Sequence, residues 1–210
     1  MVKNQTLYTL LVNNDLDSLK KALEDNIREE SVKGNKKAKS QLSILKKLFK
    51  VRKGVTPRDF VGKAIQIDKS LYGFMDLHHF FISNNNFGYE IINKGDAGYF
   101  DLSNIIDATV DNCYNIEFSE NDIANLKLKI QQNKALPKYA TPVPFIIRIY
   151  DVIVGFNPQY LLDALEFSGT NKIAIRDYKT PCYIMSENGN GAVILPINIK
   201  DCDYIIDKDV

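Results

Sequence analysis

The sequence predicts an α+β protein in which antiparallel sheets lie on one side and helices on the other. Two observations lead to this class. Amphipathic helices are followed by groups of short strand-like runs, and the two do not alternate strictly, as a doubly wound parallel sheet requires. The order of a helix and then a few strands occurs more than once, which suggests pseudo-repeated units, although no sequence repeat accompanies it. We predict two domains, 1–112 with a helical, basic N-terminal segment and 113–210.

The N-terminal 53 residues are predicted to be helical, because apolar residues recur there near a period of 3.6. Asp15 or Asp17 is expected to cap the second helix. A polar break around Gly34 separates these helices from a further amphipathic helix. The apolar positions are Leu7, Leu10, Leu11, Leu16, Leu19, Leu23 and Ile27, then Leu42, Leu45, Leu48 and Phe49.

The middle of the chain changes to short runs typical of strands, separated by Asn- and Gly-rich turns. A short helix is predicted over 100–108, and Ser119 is expected to cap a helix from Asn121 to Asn133. The predicted strands are Ala64–Ile67, Leu71–Phe74, Phe80–Ile82, Tyr89–Ile92, Ile116–Phe118 and Phe145–Val154.

The last third of the chain begins with a short helix. Asn157 is a favourable N-cap, Pro158 suits the first helical position, and Gly169 is expected to end the helix. Three strands are predicted to follow, at Lys172–Arg176, Cys182–Met185 and Ala192–Ile199. Because proline cannot donate to a ladder, Pro196 predicts that the last strand is an edge strand, or that its N–H side faces away from a partner.

Composition limits the class of protein. The formal net charge is +1, so nucleic-acid binding must come from local charge asymmetry. The three cysteines are far apart and form no C-x-x-C pair, which favours reduced thiols. No signal-peptide pattern or long apolar run is present, so we expect a cytoplasmic protein that does not bind membranes.

A basic stretch between Lys33 and Lys53 contains no acidic residue. Charge runs of this kind are usually solvated helix faces, and the alternative is a surface that faces phosphates. A second cationic cluster lies on the helix after Ser119. The candidate residues for non-specific contact with duplex DNA are Lys46, Lys47, Lys50, Arg52, Lys53, Lys127, Lys129 and Lys134.

Two distant segments carry a resemblance to a known family. The first is Met75-Asp76-Leu77-His78-His79-Phe80, and the second is Leu195-Pro196-Ile197-Asn198-Ile199 after a short helix and strands. Together they resemble the T-D-G-H-R-L segment and the terminal M-P-x-R-L strand of bacterial polymerase sliding clamps of the β-clamp type. Asp76 and His78 match, whereas Leu77 replaces a glycine and Asn198 stands where the family has arginine.

The resemblance implies a shortened clamp-like fold, a pocket between the two domains for client peptides of replication or repair proteins, contact with duplex DNA, and homo-oligomers. No cofactor and no catalytic residue is expected. Short apolar strands are also typical of an ordinary core, so this second interpretation of the same residues stays open. The implied peptide-binding residues are Met75, Leu77, His78, His79, Phe80, Val193, Leu195, Pro196, Ile197, Asn198 and Ile199.

The residues themselves allow two other functions. A clamp-derived interaction module could keep the peptide pocket without encircling DNA. Asp76, His78 and His79 could instead hold a metal ion or support acid–base chemistry. The chain has only these two histidines and no nucleophile motif beside them, which argues against an enzyme.

Overall fold

The structure is a computed structural model that describes residues 4–50, 59–76, 79–97, 99–102, 113–137, 140, 142–197, 199 and 206–208. These residues form five helices and eleven strands, and the predicted α+β class is confirmed. They belong to two compact units, one made of 1–74 with 85–100 and the other of 75–84 with 101–210. The predicted domain boundary at 112/113 stays a prediction.

The first unit contains three helices, two complete strands and most of a third. The helices are α1 (Asn4–Val12), α2 (Leu16–Ser31) and α3 (Lys36–Leu48). The strands are β1 (Ala64–Asp68), β2 (Leu71–Met75, whose last residue belongs to the second unit) and β4 (Ile91–Ile92), in the order β4–β1–β2. The predicted N-terminal helices are therefore confirmed, and Asp15 caps α2 by accepting a hydrogen bond from the Ser18 N–H at 3.1 Å.

An aromatic cluster forms the core of the first unit. The Phe74 ring lies 5.7 Å from Phe87 and 5.8 Å from Tyr89, and Phe49 at the end of α3 packs edge-on against Tyr89 at 5.2 Å. The Arg28 guanidinium of α2 lies 4.5 Å from the centroid of the Tyr89 ring. Burial raises the pKa of Tyr89 to about 12, although Arg28 acts in the opposite direction.

The second unit contains a five-stranded antiparallel sheet in the order β3–β10–β9–β8–β5. Its other three strands form a small sheet in the order β11–β6–β7. The helices α4 (Glu120–Ala135) and α5 (Pro158–Ser168) pack on each other, and α5 also packs on β3, β9 and β10. The strands are β3 (His79–Ser83), β5 (Tyr114–Glu117), β6 (Phe145–Ile149), β7 (Val152–Phe156), β8 (Lys172–Ile175), β9 (Cys182–Met185), β10 (Gly191–Ile194) and β11 (Ile206–Lys208).

The helix signals of the second unit are confirmed at both ends. Ser119 and Asp122 form a reciprocal capping box at the start of α4. Asn157 accepts from the Gln159 N–H at 3.0 Å, and Gly169 ends α5 in the left-handed conformation with φ of 74°.

Three sequence predictions are corrected. Phe145–Val154 is not one strand but the hairpin of β6 and β7, which turns at Tyr150 with φ of 49°. The last predicted strand ends at Ile194 rather than Ile199, because Pro196 has no N–H to donate to a continued ladder. β10 pairs with β3 on one side and with β9 on the other, so it is a central strand and not the expected edge strand.

β1–β4 and β11–β6 pair in parallel, as exceptions to the antiparallel expectation. Most of the helix predicted over 100–108 lies outside the described residues. In the part of the chain that the structure describes, none of the helices has the length and apolar content that crossing a bilayer demands.

Candidate functional site

In the second unit, the end of the first segment of the resemblance pairs with the strand that directly precedes the second segment. β3 and β10 pair antiparallel, with Phe80 opposite Val193 and His79 opposite Ile194. Both segments belong to the same compact unit. We name the described members of this group the β3–β10 site: Met75, His79, Phe80, Val193, Leu195, Pro196, Ile197 and Ile199.

One face of β3 packs against α5. Alternate residues of a strand point to the same side, and His79 and Phe81 are such a pair. The His79 ring lies 3.7 Å from the Tyr160 ring centroid in an edge-on arrangement, and Phe81 lies 4.6 Å from Phe167. His79 is therefore a buried contact of α5 rather than part of an exposed polar rim.

Asp76 closes the turn that leads into β3. Its Oδ1 accepts the His79 backbone N–H at 2.8 Å and lies 3.0 Å from His79 Nδ1, while the Asp76 N–H donates to the His79 carbonyl at 3.1 Å. An ionised carboxylate can only accept, so Nδ1 carries the proton in this pair. Leu77 and His78, which lie between these residues, are outside the described part of the chain.

The other face of β3 is also covered. Phe80 and Val193 each expose only 4% of their surface, so neither can contact a ligand without a rearrangement. The accessible members of the β3–β10 site are Leu195, which is 48% exposed, and the half-buried Met75, Pro196, Ile197 and Ile199. Asn198 lies outside the described residues.

The segment after β10 is held on β7. The Ile197 N–H donates to the Gly155 carbonyl at 2.8 Å, which forms an isolated antiparallel bridge. A Cβ on Gly155 would lie 2.7 Å from Ile199 Cγ1, closer than side chains approach each other. The absence of a side chain at Gly155 therefore allows this close approach, and an isolated glycine within a strand is the sequence signal for it.

Among the predicted DNA-binding residues of the first unit, the positive charge of Lys46 is balanced by nearby carboxylates. Lys46 Nζ lies 3.2 Å from Glu29 Oε1 and 3.8 Å from Asp25 Oδ1, both on α2. Lys47 and Lys50 are exposed, whereas Arg52 and Lys53 lie outside the described residues. The i, i+4 spacing of Asp25 and Glu29 was the signal for this compensation, because it places both carboxylates on one face of α2.

A cleft of about 550 Å³ lies where α2 meets α3. Buried Val32 and Leu42 contribute its apolar part, and its rim carries charges of both signs. Lys33 Nζ lies 2.8 Å from Glu30 Oε1 on that rim. The cleft is therefore not a purely cationic surface.

The cationic cluster of the second unit lies on α4. Leu126 and Ile130 are buried and fix which side of α4 faces the core. Lys127 and Lys134 are exposed, and Lys129 is half-buried. The neighbouring helix α5 carries Asp163 and Glu166, so the cationic character belongs to α4 alone of these two helices.

Metal ligands and cysteines can be assessed within the described part of the chain. No cluster of three or more His, Cys, Asp or Glu side chains that could hold a metal ion occurs among those residues. The Cys182 thiol is fully buried, and burial raises its pKa, which makes it a poor nucleophile. Cys113 and Cys182 are both free thiols.

Comparisons with known proteins were made at three levels. No protein-family model and no curated protein sequence matches the chain. Among solved structures, the chain is similar to a protein of Eubacterium rectale assigned as a DNA polymerase III beta subunit, with TM-score 0.37 and 19% identity over 61% of this chain and 41% of that one. The DNA polymerase III beta subunit of Thermotoga maritima gives TM-score 0.33 and 15% identity over 62% and 42%.

A third similar structure is the Helicobacter pylori beta clamp bound to a DNA ligase peptide. Its TM-score is 0.32 and its identity 13%, over 61% of this chain and 41% of that one. The chain thus spans less than half the length of each of these three clamp-type proteins.

Proposed function

We propose that the chain is a sliding-clamp-related protein that binds extended client peptides at the β3–β10 site and contacts duplex DNA without reading sequence. The observation that carries the proposal is the pairing of β3 with β10, in which Phe80 lies opposite Val193. The end of the first segment lies in β3 and the second segment directly follows β10, which supports one shared site.

The accessible part of the site suits an apolar peptide anchor. Leu195 is exposed beside half-buried Pro196 and Ile197, and the Ile197 N–H is already bonded to Gly155. Peptide sites of this kind combine a few fixed polar contacts with apolar pockets for side chains. Leu195 is the residue on which the proposal depends most.

The peptide proposal is tested by fluorescence polarisation with the labelled DNA ligase peptide that the Helicobacter pylori clamp binds. We expect saturable binding that Leu195→Asp weakens about tenfold or more, because a charge replaces the apolar anchor. Val143→Asp is the matched control, since Val143 is 43% exposed and lies outside the site. Both variants should keep the circular-dichroism spectrum of the parent chain.

A phage-display selection tests for client peptides whose sequence differs from that of the DNA ligase peptide. Random ten-residue peptides displayed on phage are selected against the immobilised chain. Enriched peptides that share an apolar anchor and are lost with Leu195→Asp support the site. Unchanged capture by that variant, or no enrichment above a blank surface, would overturn the proposed site.

The DNA contact is proposed for α4 and for the exposed lysines of α3. Lys127 and Lys134 on α4 and Lys47 on α3 are exposed. Each phosphate that a lysine neutralises adds about 0.9 to the slope of log K against log salt. Retention of duplex DNA at low salt, lost progressively as salt rises, is the expected result.

A second candidate is a clamp-derived interaction module that binds peptides but not DNA. It is favoured by the ion pairs of Lys46 with Glu29 and Asp25 and by the net charge of +1. No DNA retention at low salt, together with intact peptide binding, would select this candidate over the first.

A further inference from the structure

Helix α2 is attached to its own unit by its charged side, and its apolar side faces solvent. Arg28 lies over Tyr89 and bonds Glu24 and Asp25, while Glu29 and Asp25 lie near Lys46. In water, a helix usually packs on its protein through its apolar stripe and exposes its charged side. In α2 these two sides are exchanged.

The apolar stripe of α2 is regular. Leu16, Leu19, Leu23 and Ile27 recur at the three- and four-residue spacings that place side chains on one helix face, and Leu19 is the half-buried member. Leu16, Leu23 and Ile27 expose 60%, 45% and 58% of their surface, and α2 has no buried residue. The packed helix α1 adds three more exposed apolar side chains and carries no charge. We name the α1–α2 face by its exposed members: Tyr8, Leu11, Val12, Leu16, Leu23 and Ile27.

The charges along α2 specify the occupant of this face. The first half of the helix carries Asp17, Lys20 and Lys21, a net charge of +1, and the second half carries Glu24, Asp25, Arg28, Glu29 and Glu30, a net charge of −3. Two copies of α2 aligned in parallel would bring like charges together. An antiparallel pair brings the basic half of each helix to the acidic half of the other and also opposes the two helix dipoles favourably.

The apolar stripe fits the same arrangement. In an antiparallel pair with its two-fold axis at Leu23, Leu23 meets its own equivalent and Leu19 meets the partner's Ile27. At the edge of the stripe, Lys20 then lies near the partner's Glu24. Such a surface is self-complementary, as a two-fold interface requires. The excess of carboxylates on α2 argues against an anionic membrane as the occupant.

From this geometry we infer that the α1–α2 face is a homodimer interface in which two α2 helices pack antiparallel across Leu23. The inference goes beyond the proposed function, since it uses no residue of the β3–β10 site and none of the candidate DNA-contacting lysines.

The first test is the molar mass of the full chain by sedimentation velocity over a wide range of concentrations. We expect a monomer–dimer equilibrium whose dissociation constant rises about a hundredfold with Leu23→Glu, because a carboxylate would be buried at the axis. Leu128→Glu is the control, since Leu128 is a 52% exposed leucine of α4. A chain that stays monomeric, or a dimer that Leu23→Glu leaves intact, would overturn the interface.

The second test addresses the register of the two helices. Leu23→Cys places two thiols at the proposed axis, so mild oxidation should give a covalent dimer that reductant dissolves. Asp17→Cys, on the same helix but off the stripe, should crosslink far less, and the parent chain controls for its own cysteines. Equal crosslinking of Asp17→Cys and Leu23→Cys would overturn the antiparallel register.

Discussion

At the scale of single residues, Asp76 has a structural role, whereas its position beside His78 in the sequence suggested ligand binding. Asp76 and His78 looked like a polar pair that could bind a ligand. The Asp76 carboxylate instead accepts two hydrogen bonds from His79, one from the backbone and one from the ring. His79 is thereby fixed against Tyr160 on α5, so this carboxylate orients the first residue of β3.

We expect Asp76→Ala to lower the free energy of unfolding by about 1 to 3 kcal/mol, because buried donors of His79 would lose their acceptor. Asp76→Asn should cost less, since the amide oxygen can still accept the His79 N–H. Urea denaturation measures both, with Glu187→Ala, an exposed acid in the β9–β10 turn, as the control. Equal stability of the Asp76→Ala and Glu187→Ala variants would contradict this role.

Lys46 and Lys47 are adjacent in sequence but differ in their surroundings. Lys46 faces the carboxylates of Asp25 and Glu29, whereas Lys47 is exposed. Lys47→Ala should lower the salt slope of DNA binding by about 0.9, and Lys46→Ala should change it little. Lys46→Ala should instead lower stability by about 0.2 to 1 kcal/mol, as expected for a surface ion pair. Identical salt slopes for the two variants would contradict the distinction.

Asp177 gives the chain an acid-sensitive group. The Lys179 N–H donates to its Oδ1 at 2.7 Å, and Thr180 donates through both its N–H and its hydroxyl, which together lower the pKa of Asp177 from 3.8 to about 2. Because the folded pKa is the lower one, the carboxylate stabilises the fold above pH 3.8, and this contribution is lost as pH falls toward 2.

Asp177→Asn should therefore reduce the loss of stability between pH 4 and about 2, measured by thermal melting across that range. The effect is modest, because the Asp177 side chain is 39% exposed to solvent. A variant whose stability falls with pH as steeply as that of the parent chain would contradict the assignment.

At the scale of elements, helix ends were predictable and strand ends were less so. The caps at Ser119, Asn157 and Gly169 follow from side-chain and backbone chemistry that is local to each position. The β6–β7 hairpin was missed because Tyr150 adopts a left-handed conformation that Gly, Asn or Asp usually signals. The hairpin therefore depends on packing of its strands rather than on a turn motif.

The position of the β3–β10 site was predictable only in part. Its two segments were expected to be neighbours, and Phe80 of the first segment lies opposite Val193, just before the second. Their burial agrees with the second interpretation, an ordinary core, and the sequence could not decide between the two because strands covered on both faces show no alternation of polar and apolar residues. The predicted peptide and DNA contacts of these residues remain predictions.

Also at the scale of elements, a substitution at Gly155 tests what holds the segment after β10 in place. Gly155→Val should displace Ile199 and weaken the Ile197–Gly155 bridge, because the new side chain would overlap Ile199. We expect a stability loss of about 1 to 3 kcal/mol and reduced peptide binding at Leu195. Ile153→Val is the control, since Ile153 is a partly exposed residue of the same strand. Unaltered stability and binding in Gly155→Val would contradict this account.

At the scale of the whole molecule, burial differs strongly from one element to another. α1 and α2 contain no buried residue, whereas all four residues of β10 are buried. Local opening depends on buried contacts, so amides of α2 should exchange with solvent hydrogen faster than those of β10.

This prediction is checked by hydrogen-exchange mass spectrometry at low and high protein concentration. Protection of α2 should rise with concentration if the α1–α2 face is the homodimer interface, while protection of β10 should not change. If α2 were as protected as β10 in dilute solution, its stability would not depend on a second copy.

The pairing of β3 with β10 also has a consequence for synthesis on the ribosome. About 110 residues separate Phe80 from Val193, and the intervening chain must be made before the two strands can join. At typical elongation rates that delay is roughly 5 to 20 s, during which the aromatic segment His79-Phe80-Phe81-Ile82 has no β10 to pair with. The nascent protein should therefore depend on chaperones, and expression at a slowed translation rate should lower its soluble yield.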